Sequence, residues 1–261
     1  MAFLQIELYS KMLTRRAEVA VILPEGDKKK EQYPVLWLLH GASGNYADWW
    51  RFTAIELYAQ QYGIAVVMPS AENSFYANTP LGRYFDYIAE ELPETLSTMF
   101  PLSTKREDNI VAGFSMGGHG AYKFGLIRPE KYAGIGVFSA GNFLEIGDPP
   151  AGSPTAELNK LIFGTSETHD LYGTEHDISY LAKLALESGK QMPELFVCCG
   201  TEDMGFKTSE STYQYMTQTL GMKGEWRQDK GFHDWYFWGA MLPEFMLWAS
   251  HLLERQTNEY K

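Results

Sequence analysis

Ser115 stands in Gly113-Phe114-Ser115-Met116-Gly117, a G-x-S-x-G pattern, and its surroundings decide what its hydroxyl could do. Asn109-Ile110-Val111-Ala112 before it is short and β-prone, and Gly118-His119-Gly120-Ala121-Tyr122-Lys123-Phe124 after it reads as the opening turns of a helix. A tight strand-to-helix turn of this kind holds a serine hydroxyl clear of a sheet, as a nucleophile requires. The flanking glycines are expected to leave room where strand and helix close on each other, in a turn with unusual dihedrals. A serine hydroxyl is a weak nucleophile near neutrality and needs a base, usually a histidine oriented by a carboxylate. The chain order that goes with such a turn is serine, acid, histidine, the last two on loops after later strands.

Six histidines are available, and that order restricts them. His40, His119, His169 and His176 precede any acid placed after the last strands. His40 ends a strand and is expected to brace a neighbouring loop, while His119 lies one turn into the helix and points poorly for proton transfer. His251 falls within an aromatic C-terminal helix. His233, in Lys230-Gly231-Phe232-His233-Asp234-Trp235, sits on a loop between the last strand and the last helix and is the expected base. For the acid, the buried strand Leu195–Cys199 leads into Gly200-Thr201-Glu202-Asp203. Asp203 is preferred, Glu202 is its rival, and Asp234 is a weaker third choice because sequence neighbours point their side chains apart. Capping of the next helix is the structural alternative for Asp203.

Acyl transfer also needs N–H donors aimed at a developing oxyanion. One is expected from Met116, directly after the serine, and the other from His40-Gly41-Ala42-Ser43-Gly44-Asn45, with Ala42 first and Ser43 next. Gly41 and Gly44 would let that backbone bend close to a substrate. Trp49, Trp50, Phe143 and Tyr172 could line a cleft, although packing is the simpler role. Cys198 and Cys199 are adjacent, a poor staple with no metal spacing, and in a buried strand they read as packing thiols. His169-Asp170 and His176-Asp177 are read as capping and solvated loop residues, so neither a metal nor a cofactor is assigned.

The elements that must hold these residues follow from hydropathy patterning. Residues 3–13 and 16–24 alternate apolar and polar positions, as in an antiparallel hairpin. Gly26-Asp27-Lys28-Lys29-Lys30-Glu31 reads as a charged turn. Val35–Leu39, Ile64–Met68, Asn109–Ala112, Gly134–Phe138 and Leu195–Cys199 are continuous apolar runs, as in parallel strands covered on both faces. Helices are expected at about 48–61, 84–99, 117–128, 177–188, 207–220 and 236–254, with Asp48 and Asp177 as N-caps. This alternation predicts an α/β architecture with a mostly parallel sheet of about eight strands. Residues 143–176 break the rhythm and read as a lid-like excursion or pocket wall, with or without a short helix, inside one domain spanning 1–261.

With 22 Lys and Arg against 33 Asp and Glu, the net charge of −11 argues against nucleic acid and anionic membranes as partners. No secretory signal is read at Met1–Leu8 and no apolar run could span a bilayer, so a cytoplasmic location is expected. The aromatic content, with 7 Trp, 16 Tyr and 15 Phe, is compatible with a homo-oligomer.

Leu38-Leu39-His40-Gly41, Gly113–Ala121, Cys199-Gly200-Thr201-Glu202-Asp203 and His233-Asp234-Trp235 together resemble the esterase D group of α/β-hydrolases. That group includes S-formylglutathione hydrolases and small tributyrin or acetyl esterases, and the chain is also similar to feruloyl and acetylxylan esterases. The resemblance implies Ser115 as nucleophile, Asp203 as acid and His233 as base, with no cofactor. S-formylglutathione hydrolases carry a longer oxyanion loop with a cysteine, where this chain has Ala42-Ser43-Gly44-Asn45, which speaks against glutathione thioesters, and the Trp235-Tyr236-Phe237-Trp238 run after His233 is more similar to the short-chain carboxylesterase branch. The expected activity is hydrolysis of small esters, acetyl to butyryl. A sugar-ester esterase, a thioesterase and a non-catalytic binding module of the same fold are the alternatives.

Overall fold

The computed structural model describes residues 1–25 and 31–259, so the charged turn expected at Gly26–Glu31 lies, but for Glu31, outside the described residues. Eight strands form the main sheet: β1 (Ala2–Ser10), β2 (Arg15–Leu23), β3 (Val35–Leu39), β4 (Ala65–Pro69), β5 (Asn109–Phe114), β6 (Gly134–Phe138), β7 (Glu194–Gly200) and β8 (Gly224–Asp229). Their order is β1-β2-β4-β3-β5-β6-β7-β8. β1 and β2 make the expected antiparallel hairpin, β2 runs against β4, and the remaining pairings are parallel.

Alternation along the parallel strands explains why their sequences are apolar throughout. Val35, Trp37, Leu39, Val111, Ile135, Val137 and Val197 face one core, and Leu36, Leu38, Ile110, Ala112, Phe138 and Phe196 face the other. The helices Met116–Ile127 and Ile178–Glu187 cover the first face, and Ile55–Tyr62 and Trp235–Glu259 the second. Truncating a fully buried aromatic such as Phe245 to alanine would cost about 3–5 kcal/mol.

The strand order also locates a crevice. After β3 the chain moves to β4 on one side, and after β5 it moves to β6 on the other. The loops leaving β3 and β5 therefore diverge and open a cleft at the carboxyl ends of those two strands.

Several elements differ from expectation. The helix expected at 48–61 is two helices, Asp48–Phe52 and Ile55–Tyr62, separated by an extended Thr53 whose hydroxyl bonds back to the Trp49 carbonyl. Asp48 is not an N-cap: it lies inside the first helix, and Asn45 Oδ1 takes the Ala47 N–H instead. Asp177 does cap its helix, accepting from the Tyr180 N–H. Residues 143–176 hold the helix Pro154–Phe163, started by a Ser153 side-chain cap with Pro at its first turn, and two short 3-10 turns, Phe143–Ile146 and Thr168–Leu171.

Candidate active site

Ser115 terminates β5 at φ 52° and ψ −120°, a conformation that costs an L-residue energy and persists only under external constraint. The constraint is visible. Its N–H donates to the Phe138 carbonyl of β6 (2.9 Å), and its own carbonyl accepts from His119 N–H in the following helix (3.1 Å). The glycines provide clearance: a Cβ on Gly113 would come within 2.5 Å of Gly117 backbone, and one on Gly117 within 2.6 Å of the Leu39 and His40 carbonyls.

His233 reaches this hydroxyl from the loop between β8 and the C-terminal helix. Its Nε2 lies 2.9 Å from Ser115 Oγ and its Nδ1 lies 2.8 Å from Asp203 Oδ2. With Asp203 ionised, Nδ1 carries the hydrogen and donates it, which leaves the Nε2 lone pair to accept from the serine. Burial alone would raise the Asp203 carboxyl, but hydrogen bonds from His233, the Gly205 N–H and Ser139 outweigh it and hold the carboxyl below its usual range. Trp238 stands edge-on to the His233 ring at 5.1 Å. Asp234 is committed to the C-terminal helix, where its Oδ1 caps the N–H groups of Tyr236 and Phe237. Glu202 is exposed and pairs with Lys230 at 3.8 Å. Of the three candidate carboxylates, only Asp203 is brought to His233.

The N–H groups of Ala42 and Met116 have no acceptor among the described residues. The Met116 amide opens a helix, whose positive end favours anions. Ser43 is different, because its N–H donates to Asn73 Oδ1 at 2.7 Å and is unavailable to a ligand. Gly41 and Gly44 lie in the same loop, where a Cβ on either would collide with a neighbouring side chain. The left-handed residue in this loop is Ser43 (φ 62°), and the glycines make room for the Phe114 ring and for Asp48 Oδ2 respectively. His40 braces the loop after β4 as expected: its Nδ1 bonds the Gly41 carbonyl (2.7 Å) and its Nε2 accepts the Ala71 N–H (2.8 Å), so burial and geometry both keep the ring neutral. Tyr76 completes the brace by donating its hydroxyl to the His40 carbonyl at 2.9 Å. Asn73, Tyr76 and Ser139 were absent from the sequence reading, since no local pattern marks them.

On the other side of Ser115, Phe75, Phe143 and Phe163 pack together over His119, with Phe143 and Phe163 stacked at 5.4 Å. His119 is buried, neither ring nitrogen has a hydrogen-bond partner among the described residues, and burial drives its pKa well down. Trp49 is core instead of cleft: it is buried, donates Nε1 to the Leu39 carbonyl and packs on Phe114 and Phe138. Trp50 packs on Phe3 of the hairpin, and Tyr172 is exposed with its hydroxyl on the Leu144 carbonyl. Both cysteines are buried with raised pKa values, Cys199 to about 12, because burial disfavours the thiolate. Asp148, Glu167 and His169 hold ligand-type atoms within 4.8 Å of one another, all on exposed side chains. His176 is buried against Phe163 and His251 is exposed.

The model of the putative esterase family matches residues 10–249. The chain belongs to that family. It is 32% identical to an acetyl esterase of Caldicellulosiruptor saccharolyticus, over 96% of this chain and 98% of that one. Among solved structures it is similar to FphF, a fluorophosphonate-binding serine hydrolase of Staphylococcus aureus, with 31% identity, TM-score 0.86, and 95% and 98% of the two chains covered. It is also similar to the S-formylglutathione hydrolase FrmB of the same organism, with 31% identity, TM-score 0.84 and the same coverage. The fold is thus that of the α/β-hydrolases and the chain is a carboxylic ester hydrolase, as the resemblance implied. No helix among the described residues of this esterase is long and apolar enough to cross a membrane.

Proposed function

We propose that this esterase hydrolyses short-chain acyl esters, acetyl to butyryl, through a Ser115–His233–Asp203 triad and an acyl-enzyme intermediate. The observation that carries the reading is the unbroken hydrogen-bond chain from Asp203 Oδ2 through both nitrogens of His233 to Ser115 Oγ. His233 Nε2 takes the Ser115 proton as Oγ bonds to the ester carbonyl carbon. The carbonyl oxygen gains the charge, and the Ala42 and Met116 N–H groups receive it. The C–O bond to the alcohol then breaks, and His233 returns the proton to the leaving alkoxide. Water, deprotonated by the same imidazole, attacks the acyl carbon and releases the carboxylic acid and free Ser115. Likeness to the Caldicellulosiruptor acetyl esterase favours a small acyl group. The 143–176 excursion would supply one wall of the acyl or alcohol pocket, through Phe143 and Phe163.

Likeness to FrmB favours a second reading, thioester hydrolysis by the same steps. Rates on p-nitrophenyl acetate, butyrate and octanoate, on ethyl ferulate and on S-formylglutathione separate the substrate classes. Ser115→Ala should lower turnover of the preferred substrate by about 10⁴-fold or more and abolish fluorophosphonate labelling. A variant that retains turnover overturns the triad, and faster cleavage of S-formylglutathione than of any oxygen ester overturns the ester preference.

A further inference from the structure

Two consecutive bulky residues in the loop after β4 stand in the left-handed region, Phe75 at φ 50° and Tyr76 at φ 54°. Neither is glycine, and side chains of that size make the conformation costly. Local bonds secure the turn: the Tyr76 N–H donates to Ser74 Oγ at 3.1 Å, and the Ala77 N–H to the Ser74 carbonyl at 3.1 Å. The strained pair delivers the Tyr76 side chain into the interior, where it is fully buried. A strained residue held in place by its surroundings calls for a role there.

The Tyr76 ring lies on the helix Met116–Ile127, and its hydroxyl on the residue that ends β3. A Cβ on Gly120 would come within 2.4 Å of the ring, and Phe124, one turn further along, meets it edge-on at 5.7 Å. The hydroxyl donates to the His40 carbonyl at 2.9 Å, and burial, which pushes the phenol pKa well up, keeps that hydrogen in place. The same carbonyl faces the helix directly, since a Cβ on Gly117 would come within 2.6 Å of it. One side chain thus spans the two segments that carry the free N–H groups beside Ser115: Met116 opens the helix, and Ala42 lies two residues past His40. The loop after β4 also holds His40 by its ring, through the Ala71 N–H on Nε2 at 2.8 Å.

We propose that Tyr76 is a positioning residue for the oxyanion hole: its ring rests on Gly120 and its hydroxyl on the His40 carbonyl, which sets the gap between the Met116 and Ala42 N–H groups. The inference rests on the reading of those two amides as the oxyanion donors. Without the hydroxyl, the carbonyl of the buried His40 loses the donor it meets here and turns toward another. The Gly41–Ala42 backbone turns with it and carries the Ala42 N–H away from the position where the oxyanion forms. The ester in its ground state, bound before that charge develops, is affected less.

The test is Tyr76→Phe, which removes a single oxygen, assayed on p-nitrophenyl acetate per site titrated by a fluorophosphonate. A small alkyl trifluoromethyl ketone gives the second readout. Ser115 Oγ adds to its carbonyl carbon, the serine proton passes to His233, and the resulting oxyanion occupies the hole. Outright loss of an oxyanion donor costs about 10²–10³-fold, so displacing one should lower kcat about 10-fold with KM within about twofold. The inhibition constant of the ketone should rise by about the factor by which kcat falls, while the acid limb of the pH profile, set by His233, stays in place. Gly120→Ala, which drives the ring off the helix, should give the same signature and serves if Tyr76→Phe fails to accumulate. An unchanged kcat per titrated site, or a lowered kcat with unchanged ketone inhibition, overturns the proposal and leaves Tyr76 a packing residue. Absence of wild-type turnover and labelling would instead overturn the triad itself.

Discussion

Ser115 divides two buried polar regions that handle hydrogen bonding in opposite ways. Toward the ends of β6, β7 and β8, Asp203 takes the His233 ring and the Gly205 N–H, and Trp238 donates to Ser139. Along the elbow helix, the His119 ring and the Tyr122 hydroxyl are buried with no hydrogen-bond partner among the described residues, and the Nδ1 of His176 has none either. Lys123 is fully buried there and its charge is met by Glu175 at 2.9 Å. In the first region, partners outweigh burial and the Asp203 carboxyl stays ionised. In the second, burial prevails and the histidines are held neutral, His176 down to about 4. A saturated network fixes protonation and direction together, whereas an unsaturated one fixes only the neutral state.

If the contrast is right, changes on the saturated side cost rate, and changes on the unsaturated side alter stability with pH. Asp203→Asn should be the most damaging: an amide N–H facing His233 Nδ1 selects the tautomer with hydrogen on Nε2, which cannot accept from Ser115. A fall in kcat of about 10³- to 10⁴-fold at little cost in Tm is expected. Loss of Tm in proportion to rate would mean that Asp203 serves the fold first. Next comes Asn73→Ala, which frees the Ser43 amide beside the Ala42 N–H. Removing an oxyanion donor outright costs about 10²–10³, so loosening the loop that carries one should cost about tenfold in kcat with KM nearly unchanged.

The smallest expected effect is on the unsaturated side. His176 has its pKa lowered to about 4 in the fold, while unfolded histidine titrates near 6.5, at about the value of model peptides. Below that upper value the unfolded chain binds a proton that the native state refuses, so the stability is present above it and is lost as pH falls toward 4. Denaturant titrations across this window should show ΔG of unfolding falling with acid, and His176→Phe should shallow the slope by up to about 1.4 kcal/mol per pH unit. A slope untouched by the substitution would locate the acid sensitivity elsewhere.

The two regions also differ in how far the sequence foretold them. Ser115 and His233 were legible because their signals are local: a G-x-S-x-G turn between a β-prone run and a helix, and a Gly-containing loop ahead of the last helix. Asp203 was preferred over Glu202 and Asp234, yet which carboxylate meets His233 is a matter of how the β7 and β8 loops approach one another. Gly41 and Gly44 were noticed as hinges for the loop backbone, but what lies beneath each, a Phe114 ring or an Asp48 oxygen, is not written beside it. Trp49 could be read as packing or as cleft lining, with packing the simpler role, and its burial beneath Phe114 and Phe138 makes it core.

By itself the sequence determined the strands of the main sheet other than the polar β8, most helices, the turn at Ser115 and the serine–acid–histidine order, since periodicity and local sterics act over a few residues. The tertiary structure alone decided what steadies the site. Asn73 bonds Ser43 across 30 residues, and Trp238 bonds Ser139 across 99. Such contacts exist only after the order β4-β3-β5-β6-β7 has brought separate strand ends side by side, and no spacing along the chain encodes that order.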